Sequence, residues 1–148
     1  YIMEVYILIC IINIMIDEYI KNIDIQTISN QTLAFIGDSV FDLYIRIYLS
    51  SKFTSKTGVL HTKATKYVSA RSQSYIIDNI TNKLTLEEID VYKRGRNTSV
   101  GNISKNADIT EYKKSTGFEA LIGYIYLNNN INRLEEIIKL SIQIIEER

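Results

Sequence analysis

Proline and tryptophan are absent from this chain of 148 residues, and glycine occurs only six times. A β-sandwich or barrel depends on frequent turns built from Pro and Gly. Their scarcity, with apolar residues recurring at a 3.6-residue period, predicts an all-α fold. A single cysteine, Cys10, excludes an intramolecular disulfide framework and a cysteine-based zinc site. His61 is the only histidine, so metal chemistry would rest on oxygen ligands, which suits Mg²⁺ or Mn²⁺. No long hydrophobic run occurs either. Val5 to Ile16 is apolar over 12 residues, where a bilayer span needs about 20, and it lacks the basic flank of a signal peptide. A cytoplasmic protein without membrane attachment is expected.

What is present is the composition of a globular protein, 46% apolar and 23% charged, in a chain of one-domain size. Tyr1 stands where a methionine would begin translation. Residues 1–14 are therefore read as a dispensable apolar extension before a native start at Met15, and residues 15–148 as the domain. The formal net charge is zero, but residues 52–114 carry 12 basic and 6 acidic side chains. A basic surface on a neutral chain suits a polyanionic partner; the alternative is a set of solvated charged loops.

Periodicity predicts a short helix and connection over Ile16 to Ile28, then five further helices and a basic loop. The first long helix is capped by Ser29 or Asn30 and runs to about Ser50. The second covers Gly58 to Ile80. Thr85 and Glu88 have capping-box spacing for a third that ends near Tyr92. Lys93 to Asn106, KRGRNTSVGNISKN, follows as a loop whose guanidinium groups and glycines suit phosphate contact. The last two helices span about Asp108 to Asn128 and Asn130 to Glu147, the latter with Leu134, Ile137, Ile138, Ile144 and Ile145 as its stripe.

Two isolated carboxylates stand out. Asp38 follows Gly37 in a run with no other charge back to Asp24, and Glu119 is the only charge between Lys114 and Arg133. On the first helix Leu33, Ile36, Gly37, Val40, Tyr44 and Ile47 share one side, with Asp38 and Asp42 opposite. On the later helix Phe118, Leu121, Ile122 and Ile125 form the stripe, while Glu119 shares its face with Tyr112, Thr116 and Gly123. Taken alone, Asp38 reads first as an ordinary polar-face residue, and Glu119 equally as a satisfied structural carboxylate or a ligand. Together they suit an ion site, because solvated helix faces usually carry several charges.

LAFIGDSVFDLYIRIYL resembles the signature helix of the ribonuclease III superfamily, and STGFEALIGYIYL its second catalytic helix. HTKATKYVSARSQ, KRGRN, SKN and YKKST between them resemble the mini-III branch. The resemblance covers about residues 15 to 147. It implies a homodimeric, all-helical endoribonuclease domain that cuts double-stranded RNA with Mg²⁺, leaving a 5′-phosphate and a 3′-hydroxyl, with no double-stranded-RNA-binding domain appended. It also implies a role in maturing the large-subunit (23S) ribosomal RNA precursor, with a ribosomal protein as a further partner. Asp38 and Glu119 match the family's metal-ligating catalytic carboxylates. Gln31, Ala34 and Thr116 stand where larger members have acidic residues, and Ser99 and Ser104 where branch members often have a basic residue and a proline. Lys63, Lys66, Arg71, Arg94, Arg96, Asn97, Lys105, Lys113 and Lys114 are the candidate RNA contacts. His61 is equally an RNA contact or a structural hydrogen-bonding residue. The rival readings are a non-catalytic RNA-binding or ribosome-associated module on the same fold, and a helical interaction domain with no RNA role.

Overall fold

The structure, a computed structural model, describes residue 3 and residues 15–98 and 108–148. The expectation of a dispensable segment at 1–14 therefore falls almost wholly outside the described residues, as do Ser99, Ser104 and Lys105. After a helical segment at 15–21 come α1 (Asn30–Lys52), α2 (Thr57–Val68), α3 (Ala70–Ile80), a 3₁₀ turn (Thr81–Lys83), α4 (Leu86–Arg96), α5 (Ile109–Leu127) and α6 (Ile131–Glu146). No strand occurs among the described residues, so the all-α expectation holds.

α5 is the axis of the domain. It packs most extensively on α1, then on α4 and α3, while α2 lies against α1, α3 and α6. A helix surrounded on so many sides must be apolar nearly all round. The sequence of α5 satisfies this, since Ser115, Gly117, Phe118, Ala120, Leu121, Ile122, Gly123, Ile125 and Leu127 are all buried. The single stripe expected on this helix is thus only part of its buried surface. Phe118 meets Phe41 of α1 edge to face, with ring centroids 5.0 Å apart, a favoured aromatic geometry.

α1 begins where expected, with the Ser29 side chain accepting from the Thr32 N–H at 3.0 Å. Its inward face differs from the expected one. Leu33, Ala34, Gly37, Phe41, Ile45 and Leu49 are buried, whereas Ile47 is 60% exposed. The apolar residues of α1 occur on more than one side, so periodicity alone does not select the face that meets α5.

Two helix ends also differ from expectation. The predicted helix over Gly58 to Ile80 is broken at Ser69, whose ψ of 150° is extended. Its hydroxyl caps α3 at the Ser72 N–H, and the Ser72 hydroxyl donates to the Lys66 carbonyl at 2.7 Å. Serine hydroxyls compete with backbone partners in this way, and the helix turns where they win. The break lets α3 turn Gln73, Ile76, Ile77 and Ile80 inward. The other difference is α4, which continues past Tyr92 to Arg96, so the first part of the predicted loop is helical. Its Thr85–Glu88 capping box forms as expected. Glu88 also receives two hydrogen bonds from Arg133 of α6 at 2.8 Å, which ties the ends of α4 and α6 together.

Candidate active site

Asp38 and Glu119 come together because α1 and α5 touch backbone to backbone. A Cβ on Gly37 would stand 1.8 Å from the carbonyl oxygen of Glu119, and one on Gly123 would stand 2.1 Å from that of Leu33. Only residues lacking a Cβ allow this approach. Asp38, next in sequence to Gly37, is delivered beside the helix that carries Glu119.

The electrostatics record that proximity. The Glu119 carboxyl is pushed up to about 8, chiefly by burial and then by the negative charge of Asp38; the nearby Gln73 amide acts in the opposite sense. The Asp38 carboxyl also lies above its ordinary value, from partial burial first and the charge of Asp42 second. The repulsion is mutual, and in such a pair the more buried carboxyl, that of Glu119, takes the proton first.

No Lys or Arg among the described residues contributes to offsetting either carboxyl. An exposed and a half-buried carboxylate with no cation from the described residues beside them fit a hard divalent ion. The donor set is small, because no group of three or more acidic, His or Cys side chains is gathered among the described residues. Ala34 is buried in the helix contact and Gln31 is exposed on the first turn of α1. Thr116 donates its hydroxyl proton to the Tyr112 carbonyl at 3.0 Å, leaving its oxygen free to accept.

Gln73 is a residue that sequence reasoning missed. Its side chain is fully buried, and neither its amide nitrogen nor its amide oxygen has a hydrogen-bond partner. It faces Glu119 closely enough to favour the charged carboxylate, yet no hydrogen bond of normal geometry joins the two. Leaving a buried polar group unsatisfied costs about 1–3 kcal/mol. The signal lay in the α3 pattern, where Gln73 shares the inward stripe of Ile76, Ile77 and Ile80.

The basic candidates separate into groups. Arg94 and Arg96 flank Gly95, where a Cβ would lie 2.7 Å from that of Ala120 and 3.3 Å from the Thr116 carbonyl oxygen. Gly95 is therefore buried against α5 and does not face a phosphate. Its packing carries both arginines to the segment of α5 that bears Glu119. The Arg94 Nε lies 3.4 Å from Asp90, while Arg96 stacks over Tyr92 and donates to Asn97 at 3.2 Å. Lys66 and Arg71 line a separate groove of about 400 Å³ with Arg148. Lys63 sits over the Phe53 ring, Lys113 is exposed, and Lys114 pairs with Asp78 at 2.7 Å. His61 receives a long hydrogen bond, 3.4 Å, from Arg46, which is itself paired with Asp42. That is the structural alternative for His61.

Comparison with known proteins decides the family. Residues 31–130, from the first turn of α1 to the start of α6, match the Ribonuclease III domain family. The chain belongs to the ribonuclease III family. A ribonuclease III family member acts on RNA as an endoribonuclease, and both Asp38 and Glu119 lie within the matched span. The chain is 46% identical to Mini-ribonuclease 3 of Clostridium tetani over 88% of its own length and 87% of the relative's. It is 44% identical to Mini-ribonuclease 3 of Streptococcus pneumoniae over 84% and 98% of the two chains. A crystal structure of a Fusobacterium nucleatum protein superposes with a TM-score of 0.74 at 32% identity, covering 81% of this chain and 96% of that one. Among the described residues, no helix is long and apolar enough to cross a membrane.

Proposed function

We propose that this ribonuclease III family endoribonuclease hydrolyses double-stranded RNA as a homodimer, with Mg²⁺ as its cofactor and Mn²⁺ as a substitute. The carrying observation is the Asp38–Glu119 pair, which no Lys or Arg among the described residues offsets. Asp38 and Glu119 would hold the ion, with water and RNA phosphate oxygens completing a shell that the chain supplies only in part. When bound, the ion supplies Lewis acidity that makes water a better nucleophile and stabilises charge on the scissile phosphate. Breaking the O3′–P bond leaves a 3′-hydroxyl and a 5′-phosphate.

Arg94 and Arg96, carried to the Glu119 segment by Gly95, would bind phosphates beside the scissile one. Asn97, hydrogen-bonded to Arg96, would join them. Lys63, Lys66, Arg71, Lys113 and Lys114 would extend the basic track along the duplex; Lys105 lies outside the described residues. Such contacts read backbone geometry and 2′-hydroxyls across the shallow minor groove, with little direct base readout.

The outer face of α1 supports the dimer. Phe35, Leu43 and Ile47 are 76%, 56% and 60% exposed and recur four residues apart with Ser39 between the first two. One helix face with that much uncovered apolar surface suits a second copy of the chain. Two centres in one dimer could then cut both strands. The names of the relatives support the mini-III branch, and the resemblance to that branch is what suggests a role in cytoplasmic maturation of the large-subunit ribosomal RNA precursor, with a ribosomal protein as partner.

The small carboxylate set favours one rival, a non-catalytic RNA-binding module on the same fold. Incubating long duplex RNA with the protein in Mg²⁺, then in EDTA, and mapping product ends separates the two. Mg²⁺-dependent duplex cleavage supports the nuclease reading, and duplex binding without cleavage supports the rival.

A further inference from the structure

Gln73 is a buried side chain with both polar atoms idle, placed against one of the two carboxyls that the site needs charged. Core positions of this kind are ordinarily apolar, and its neighbours on the α3 stripe are isoleucines. α3 packs directly on α5, so the amide is held against the Glu119 segment by the core itself. Glutamine gives this position what an aliphatic residue cannot, an N–H donor beside a carboxylate and a carbonyl oxygen that remains free to accept.

We infer that Gln73 is a positioning residue for the metal site, whose amide N–H engages Glu119 when that carboxylate holds a divalent ion and fixes which of its oxygens faces Asp38. The inference rests on the metal-dependent nuclease reading above. A carboxylate that binds a metal through one oxygen presents the other as a strong acceptor, and a donor fixed there restricts rotation of the carboxyl plane. Asp38 is exposed on α1 and Glu119 half-buried on α5, so Glu119 is the member of the pair whose orientation the core can fix. The idle amide is then a preformed partner for the loaded site, and Gln73 itself touches neither the ion nor the RNA.

The test uses the full chain and Gln73→Leu, which keeps the approximate volume and removes both polar atoms. Titration of Mn²⁺ into RNA-free protein measures ion affinity directly. Loss of the outer-shell partner is expected to weaken it about ten- to a hundredfold and to raise the Mg²⁺ needed for half-maximal cleavage by a similar factor. Duplex affinity in EDTA should stay at the wild-type level, and thermal stability in EDTA should hold or rise. In a Glu119→Gln background, adding Gln73→Leu should change Mn²⁺ binding no further. Wild-type Mn²⁺ affinity in a folded Gln73→Leu chain would overturn the inference. If that variant fails to fold, Gln73→Met replaces it; failure of both would assign Gln73 to packing and overturn the inference equally. A wild-type chain that neither binds Mn²⁺ nor cleaves would instead remove the nuclease reading on which this rests.

Discussion

Gly37 lies against the backbone carbonyl of Glu119 with no room for a side chain, since even a Cβ would reach to 1.8 Å from the oxygen. The contact joins α1 to α5 and sets Asp38 beside Glu119, so fold and site share one point of closest approach. Gly37→Ala is expected to force the two backbones apart and destabilise the domain by about 3 kcal/mol or more. Urea unfolding followed by circular dichroism measures this. Wild-type stability would show that the helices can separate freely.

Replacing Asp38 by Asn or Glu119 by Gln removes charge from the pair while keeping shape. Each variant is expected to lose Mg²⁺-dependent cleavage, with duplex binding and dimerisation largely retained. Glu119→Gln should also be at least as stable as the parent in EDTA, because it removes a carboxyl that burial and Asp38 disfavour in its charged form. Near-normal turnover in either variant would show that the metal is held elsewhere.

The same shift predicts a pH dependence. The carboxyl of Glu119 is raised from 4.5 in the free group to about 8 in the fold. Across that interval the folded chain holds a proton that the unfolded chain has released, so this group's stabilising contribution falls as pH rises. Metal-free protein should therefore show a larger stability loss from pH 6 to pH 8 than Glu119→Gln does. Mg²⁺ competes with that proton and should raise the melting temperature more at pH 8 than at pH 6. Parallel pH profiles for parent and variant would contradict the assignment of the proton to Glu119.

Neutralising Arg94 and Arg96 tests the basic end of α4. If each neutralises a duplex phosphate, removing it should lower the slope of log affinity against log salt by about 0.7 to 0.9. Fluorescence anisotropy of a labelled duplex in EDTA across a salt series gives that slope without cleavage. An unchanged slope would remove this end of α4 from the RNA interface.

Much of this was legible in order along the chain. The all-α class, the Ser29 cap, the Thr85–Glu88 box and the isolation of Asp38 and Glu119 follow from local rules of spacing, capping and charge. Of the two misplaced helix ends, one has a local cause and the other a tertiary one. Ser69 and Ser72 exchange backbone for side-chain partners within an otherwise helical pattern, and α4 runs through Lys93–Arg96 because Gly95 gains a close contact with α5 that its propensity does not reveal.

The sequence by itself determined that two lone carboxylates sit on two helices and that the middle of the chain is basic, because both are properties of residue type and spacing. Only the tertiary structure decided which face of α1 is buried, since apolar residues on several sides compete and contact with α5 selects Phe41 and Ile45 over Ile47. It also decided that Gly95 serves helix packing and that the Gln73 amide faces Glu119. These are relations between residues far apart in the chain, fixed by how closely two backbones can approach, and no periodicity within one segment encodes them.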